Sequence, residues 1–505
     1  MSTIKEFERL SGTYFISGAH KSSQGKKAYE VKNPATGVLL GSVAECLPEE
    51  VDRVLDAAIS AQKIWWKESA LHRAEALHEV ARNIRASRHQ LAEMLTREMG
   101  KTYKESADEV DWSVTALDYY AEVGRHDMGD VIGPAVAGQM HFTLKEPLGV
   151  VGIILPFNYP YVLMVWEAAA ALIAGNAVVV KPSEHTSLCT LKFMESFKSL
   201  PAGLVQCITG GGPVGQQLVS SSKTNMIAFT GSVPTGQAVV RACAETFKPH
   251  MIETSGNDPF IVMPSAPLEI AAKAASFAAF LNAGQVCTSA ERFYVHEDIH
   301  DEFVSLLVRE AKKVRIGNGL DNVDMGPMVN QRERDRYEKI IARAIEQGAV
   351  VECGGGRVNG MEAGFFQEAT VLTNLKPDMD ILHGESFGPV APICKVKSLD
   401  EAIALANDSS FGLGANIYTS RLDETMRAVN EIESGMVWVN APLLDNDAGP
   451  FGGRKLSGSG RQLGKEGLES FRQTKLVMID PKAEIQDFWW FPYKDAEAYN
   501  ANKEG

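Results

Sequence analysis

The chain has 505 residues, 45% of them hydrophobic and 23% charged, and a formal net charge of −14. This is ordinary composition for folded globular material but too long for one hydrophobic core, so two or more substructures are expected. The negative charge, with no concentrated Lys/Arg stripe to reverse it locally, argues against a nucleic-acid or membrane-surface partner; no apolar run approaches the roughly 20 residues of a bilayer span and "MSTIKEFERL" lacks a signal core, so a cytoplasmic protein is expected.

In chain order, "EVDRVLDAAISAQKIWW" and "RAEALHEVARNIRASRHQLAEMLTREMG" place apolar residues at helical spacing (Leu77, Val80, Ala81, Ile84), which predicts a mostly helical first hundred residues. From Gly149 the pattern changes. Short apolar runs ("GVVGIIL", "AVVV", "GLVQCIT", "NMIAFTG", "HMIET") alternate with helix-length stretches such as "YVLMVWEAAAALIAGN". That alternation predicts an α/β fold with a doubly wound parallel sheet, which binds nucleotides at the C-terminal ends of its strands. A second alternating region, roughly 271–440, contains "RFYVHE", "APICKV" and "GMVWVN" and predicts a second α/β domain.

Two glycine loops compete for a phosphate. "GGGPVG" (210–215) matches G-x-G-x-x-G, with Gly212 central, but no Asp or Glu follows from 211 through 244 to hold a ribose, so a tight glycine turn is an equal reading. "FTGSVPTG" (229–236) sets Gly231 and Ser232 between a strand and a helix whose N–H groups can meet a pyrophosphate; it is also a common strand-to-helix turn. "VVVKPSE" ends a strand with Lys181, Ser183 and Glu184 at its lip. A carboxylate there accepts bonds from ribose hydroxyls and repels a 2′-phosphate, favouring NAD over NADP, although Ser-Glu also serves as a helix cap.

Seven cysteines are scattered without a C-x-x-C pair or neighbouring histidines, so neither a disulfide framework nor a metal site is expected. Cys287, in "FLNAGQVCTSAER" (280–292), is by itself either a small buried hydrophobe or a nucleophile.

The chain resembles the NAD(P)-dependent aldehyde dehydrogenase superfamily from about Gly12 to Lys475. The resemblance is carried in order by "NPATG" (33–37), "PFNYP" (156–160), "KPSE" (181–184), "FTGSVPTG", "ETSGNDP" (253–259), "FLNAGQVCTSAER", "ESFGPV" (385–390), "NDSSFGLGANIYT" (407–419) and "PFGGRKLSGSGR" (450–461). It implies an aldehyde dehydrogenase-like fold with a Rossmann-type cofactor domain (1–123 and 145–254), a second α/β catalytic domain (255–465) and oligomerisation elements (124–144 and 466–505). It also implies Cys287 as nucleophile, Asn158 as oxyanion donor and Glu253 as general base, giving a free acid with water as second substrate. Phe157, Lys181, Ser183, Glu184, Gly212, Gly231, Ser232, Glu385 and Phe387 are the expected NAD contacts. Three departures stand out: Phe157 where the family often has Trp, Ser255 where it has glycine, and Gln462 where many members have a glutamate suggested to relay protons from the base.

The resemblance places the aldehyde among Trp112, Tyr159, Trp166, Thr288, Asp445 (or Asp447) and Phe451. Aromatic faces with an acid suit a cationic aldehyde such as betaine aldehyde or an aminoaldehyde; aromatic or medium-chain aldehydes and semialdehydes are the alternatives, and a noncatalytic NAD-binding or structural protein is the reading of another class. "AGQMHFTLKEPLG" (137–149) resembles the family's oligomerisation hairpin, and the aromatic "FWWFPY" (488–493) is expected to dock on the protein or on a second subunit, as a homodimer or homotetramer.

Overall fold

In a computed structural model, residues 3–126, 128–485 and 490–491 are described. Two units are distinguished: residues 3–126 with 147–472, and residues 128–146 with 473–485 and 490–491.

The first unit contains two sheets. One has eight strands in the order Ala19–Ser22, Thr13–Ile16, Val205–Cys207, Ala177–Lys181, Val150–Ile154, Met226–Thr230, His250–Glu253 and Gly458–Ser459. The five central strands are parallel. They read as unbroken apolar runs because helices cover both faces, and the helix Pro160–Ile173 is buried at all 14 positions. The chain winds outward in one direction through Ala177–Lys181 and Val205–Cys207, and in the other through Met226–Thr230 and His250–Glu253. The switch point therefore lies at the exit of Val150–Ile154, directly before Phe157 and Asn158.

The second sheet has seven strands, in the order Val350–Cys353, Thr370–Thr373, Val390–Val396, Ala290–His296, Asp258–Val262, Asn416–Tyr418 and Trp438–Val439. All its pairings are parallel except that of Val350–Cys353 with Thr370–Thr373. This is the α/β alternation expected of the sequence.

The N-terminal expectation needs correction. Helices Pro48–Trp65, Ala70–Ala86 and Arg88–Met99 occupy the amphipathic stretches, but four short strands, Thr13–Ile16, Ala19–Ser22, Ala28–Lys32 and Leu39–Ala44, precede them. Tertiary pairing decides these: Phe15 joins the large sheet opposite Cys207, and Ala28–Lys32 pairs antiparallel with Leu39–Ala44.

The second unit is a three-stranded sheet in the order Arg472–Ile479, Met140–Pro147, Val131–Ile132. Val131 is 89% exposed, and Met140, Leu476 and Met478 are also exposed. The aromatic tail segment "FWWFPY" lies outside the described residues except for Trp490 and Phe491. Among the described residues, no helix is long and apolar enough to cross a membrane, no group of three or more His, Cys, Asp or Glu side chains is arranged to hold a metal, and all seven cysteines are free thiols.

Candidate active site

The loop before Cys287 is held in an unusual backbone shape. Asn282, Ala283 and Gly284 are left-handed in succession, with φ of 51°, 55° and 71°. Such a run persists only where surroundings over-determine it. Here the half-buried Glu105 carboxylate accepts the Asn282 N–H (2.7 Å), Gln285 Nε2 donates to the Asn282 carbonyl (3.0 Å), and Gln285 Oε1 accepts the Val329 N–H (3.0 Å). At Gly284 an added Cβ would stand 2.1 Å from the Gly388 carbonyl oxygen.

Asn158 is delivered to the same place by the switch-point loop. Its Nδ2 donates to the Gln285 carbonyl (3.1 Å), and Asn282 Nδ2 donates to the Asn158 carbonyl (3.4 Å). The helix that follows is anchored by Glu109, which accepts the Tyr161 N–H (2.8 Å) and is paired with the fully buried Lys101 (2.7 Å). Asn158 is thus fixed from both sides by backbone and buried charge.

Glu253 ends its strand, buried, with neither carboxylate oxygen hydrogen-bonded. Burial pushes its pKa well above the ordinary range, and the nearby Cys287 thiol pulls it back in part. The Cys287 thiol is likewise pushed up, first by burial and then by repulsion from Glu253. At rest it is a thiol, and it needs a base to become a nucleophile. Gly256 allows the approach of these segments, since a Cβ there would stand 2.0 Å from the Cys287 carbonyl oxygen.

Ser255, the departure beside Glu253, keeps φ out of the left-handed region. Its hydroxyl hydrogen-bonds to Glu385, and its carbonyl accepts from Ser457 Oγ (2.8 Å). A side chain is therefore accommodated, and it ties the Glu253 segment to Glu385. Glu385 also accepts the Gly256 N–H (3.3 Å), and burial lifts its carboxyl to about 7. Phe387 has φ 46°, held by the buried Glu291 carboxylate, which accepts the N–H groups of Ser386 and Phe387 (both 2.7 Å). Its ring meets Phe157 edge-to-face at 5.9 Å.

A cleft of about 1250 Å3 runs from Cys287 along the strand ends. Phe157, Asn158, Lys181, Ser183, Glu184, Gly231, Ser232, Glu253, Glu385 and Phe387 all line it. Gly212 does not. It opens the helix Gly212–Ser220 after Val205–Cys207, two strands from the switch point, and its neighbours Pro213 and Val214 border a separate depression with Lys27, Glu45 and Gln217. The expectation that Gly212 joins the other cofactor residues is corrected to that extent.

The cleft has the chemistry a dinucleotide needs. Ser232 precedes the helix Val233–Ala244 in extended conformation, with its hydroxyl turned onto Thr235 Oγ1 (3.0 Å), so the first-turn N–H groups of Val233 and Thr235, which no helical carbonyl can receive, open toward an anion. Lys181 is buried with a lowered pKa and stands 4.0 Å from Glu184, offering hydroxyl groups a donor beside an acceptor. Sequence reasoning missed one wall: Gln331, Arg332, Asp335, Arg336 and Lys339 of the helix Gln331–Glu346. Its "QRERDRYEK" reads as a solvated charged face. Arg336 donates to the carbonyls of Glu385 (3.1 Å) and Ser386 (2.8 Å), which ties this helix to the Phe387 segment.

On the other side of Cys287 a second pocket gathers Trp112, Tyr159, Trp166, Thr288, Asp445 and Phe451, together with Val162, Leu163, Leu281, Val286 and Leu443. Trp166 and Phe451 are 5.0 Å apart. One face of Tyr159 is occupied by the Lys101 ammonium, 3.5 Å from the ring centre. Asp445 is an exposed residue whose carboxyl is nonetheless crowded by protein; loss of water, then repulsion from Asp447, lifts it to about 7.

Two largely parallel sheets, a cluster of the half-buried Cys287 thiol with the buried Glu253 carboxylate and Asn158 amide, and a cleft on each side of it define an oxidoreductase of the aldehyde dehydrogenase type. The aldehyde dehydrogenase family model matches residues 20–477. A 3,6-anhydro-alpha-L-galactose dehydrogenase from Vibrio sp. (strain EJY3) is 37% identical, covering 92% of this chain and 98% of that protein. A betaine aldehyde dehydrogenase from Bacillus subtilis (strain 168) is 35% identical over 94% and 98%. Among solved structures, the betaine aldehyde dehydrogenase of Staphylococcus aureus in complex with NAD+ superposes with a TM-score of 0.93 at 32% identity, covering 97% of this chain and 98% of that one. The 3,6-anhydro-L-galactose dehydrogenase in complex with NAP gives 0.90 at 38%, over 93% and 100%. The chain belongs to the aldehyde dehydrogenase family and is an NAD(P)-dependent aldehyde-oxidising enzyme.

Proposed function

We propose that the enzyme oxidises a cationic aldehyde, betaine aldehyde or another aminoaldehyde, to its carboxylic acid with NAD. The observation that carries this reading is the pocket over Cys287: four aromatic rings and the Asp445 carboxylate converge there, and no lysine or arginine is among its described lining residues. A quaternary or primary ammonium is attracted by both features. A semialdehyde with a terminal carboxylate meets no positive partner and is repelled by ionised Asp445.

The steps follow from the site. Glu253 takes the Cys287 proton, and the thiolate adds to the carbonyl carbon. The resulting oxyanion is met by the Asn158 amide and the Cys287 N–H. Lys181, Ser183, Glu184, Gly231, Ser232, Glu385 and Phe387 would hold NAD, and what NAD supplies when bound is acceptance of hydride. After oxidation the acyl group sits on Cys287 as a thioester; Glu253 then removes a proton from water, which attacks the acyl carbon and expels the thiolate. Glu184 at the lip of the cleft supports NAD over NADP, because a 2′-phosphate would face its charge.

We further propose cofactor-binding (1–123, 145–254), catalytic (255–465) and oligomerisation (124–144, 466–505) divisions in a cytoplasmic homodimer or homotetramer. The exposed Val131, Met140, Leu476 and Met478 of the three-stranded sheet support a partner surface, and seven free thiols suit a reducing compartment. A monomeric sedimentation mass would overturn the assembly.

The deciding experiment follows NADH absorbance with betaine aldehyde, an aminoaldehyde, benzaldehyde, hexanal and succinate semialdehyde, each with NAD and NADP. The expected result is highest kcat/KM for a cationic aldehyde with NAD. A preference for a neutral or anionic aldehyde overturns the substrate, and folded, NAD-binding protein inactive on every aldehyde favours the noncatalytic reading.

A further inference from the structure

The helix Pro160–Ile173 reads PYVLMVWEAAAALI and is buried throughout, yet it carries a glutamate. Glu167 is a carboxyl that the steps above do not use, in a place where burial opposes its charge. Its Oε1 accepts from Gln462 Nε2 (2.7 Å) and from Thr230 Oγ1 (3.2 Å), both of which favour the anion, while Oε2 has no hydrogen-bond partner among the described residues. Thr230 is the register partner of Glu253 in the adjacent parallel strand, so the two side chains leave the sheet on one face, and Glu253 and Glu167 repel each other. Gln462, where a relay carboxyl was expected, is thus bonded to a carboxyl on another element.

The chemistry leaves a gap that this group fits. Once Glu253 has taken the Cys287 proton it is neutral, and a neutral carboxyl cannot activate the water that releases the acid. We propose that Glu167 resets the general base: the Glu253 carboxyl, unpartnered at rest, turns to its register neighbour Thr230, and its proton passes through that hydroxyl to the Glu167 carboxylate. The S–H bond of Cys287 breaks as an O–H bond forms on Glu253; that bond breaks as one forms on Glu167, with no change in oxidation state. Thr230 lines the cofactor cleft, so the same hydroxyl returns the proton to solvent when the cleft is open. The proposal rests on the roles given above to Cys287 and Glu253.

Burial lifts Glu167 to about 8 against the pull of Gln462 and Thr230. Since the ionised form accepts the proton, kcat climbs with pH through about 8. Ionisable groups on the helices packed against this one include Arg73, bonded to the Ile173 carbonyl, Glu109, paired with Lys101, Tyr120 and Cys189, both kept neutral by burial, and Glu466. The charge coupled to Glu167 is that of Glu253.

The test uses the full-length enzyme, its preferred aldehyde from the panel, and rapid mixing with NAD. Loss of all NADH formation in Cys287→Ala checks the underlying reading separately. Glu167→Gln is expected to keep a first-turnover burst of NADH, lose at least about tenfold in steady-state kcat, and lose the rise near pH 8; Glu167→Gln with Gln462→Glu returns the carboxyl to the pair and restores both. A wild-type kcat–pH profile in Glu167→Gln, or a lowered rate with unchanged pH dependence that the double variant does not rescue, overturns the proposal. If Glu167→Gln does not fold, Gln462→Leu removes a donor to the anion and must move the rise to higher pH; an unmoved profile is equally fatal.

Discussion

The cleft proposed for the cofactor and the pocket proposed for the aldehyde share Asn158, Leu163 and Cys287, yet they are built in opposite ways. The cleft is made largely of strand ends and a helix N-terminus, so its chemistry comes from backbone groups and from short contiguous segments such as 181–184 and 229–235. The pocket is made of side chains drawn from residues as distant as Trp112 and Phe451, with almost no backbone chemistry. A site built from the sheet is fixed by the fold; one built from side chains can change its ligand while the fold stays put. Cys287 and Asn158 sit where the two meet, with Glu253 on the cleft side.

That division can be sharpened or broken by substitution. Cys287→Ala removes the only nucleophile both sides serve and is expected to cost on the order of 10⁶ in kcat, as deletion of an acyl-forming nucleophile does, with NAD binding by fluorescence unchanged. Glu253→Gln should slow turnover by about 10²–10⁴ while a burst of NADH remains only where added base deprotonates Cys287, read by stopped-flow absorbance with and without imidazole. Asn158→Ala should lower kcat about 10²–10³-fold, because the oxyanion loses a placed donor, without altering the KM for NAD.

Smaller effects separate the two sides. The carboxyl of Asp445 ionises near pH 7, and the ionised form attracts a cation, so the KM for betaine aldehyde falls as pH rises through about 7 while that for hexanal stays flat. Asp445→Asn should raise the betaine aldehyde KM about tenfold, roughly 1.4 kcal/mol, and abolish that pH dependence. Glu184→Ala should act on the other side alone, narrowing the NAD-over-NADP preference several-fold with aldehyde KM values unchanged. If Asp445→Asn alters cofactor choice, or Glu184→Ala alters aldehyde ranking, the two regions are not independent.

The same contrast explains what could be read in advance. Cys287, Glu253, Asn158 and eight of nine expected cofactor residues line one cleft, and each lies in a short motif that the sequence displays, although the backbone of the Cys287 and Phe387 segments is held by the distant Glu105 and Glu291. Gly212 was read from a motif whose local form is correct; its strand lies too far along the sheet, and strand order is not a local property. The helix Gln331–Glu346 was passed over because a charge-dense face looks the same whether it meets water or a cofactor cleft.

The sequence by itself determined the alternation of strands and helices, because periodicity encodes it within a few residues, and its short motifs carry the resemblance from which the roles of Cys287, Glu253 and Asn158 are proposed. Only the tertiary structure decided the N-terminal strands, the tie between Ser255 and Glu385, and the meeting of Glu167 with Gln462, 295 residues apart. These depend on which segments the packed core brings side by side. A buried glutamate in an apolar helix declares its use only when its neighbours are known.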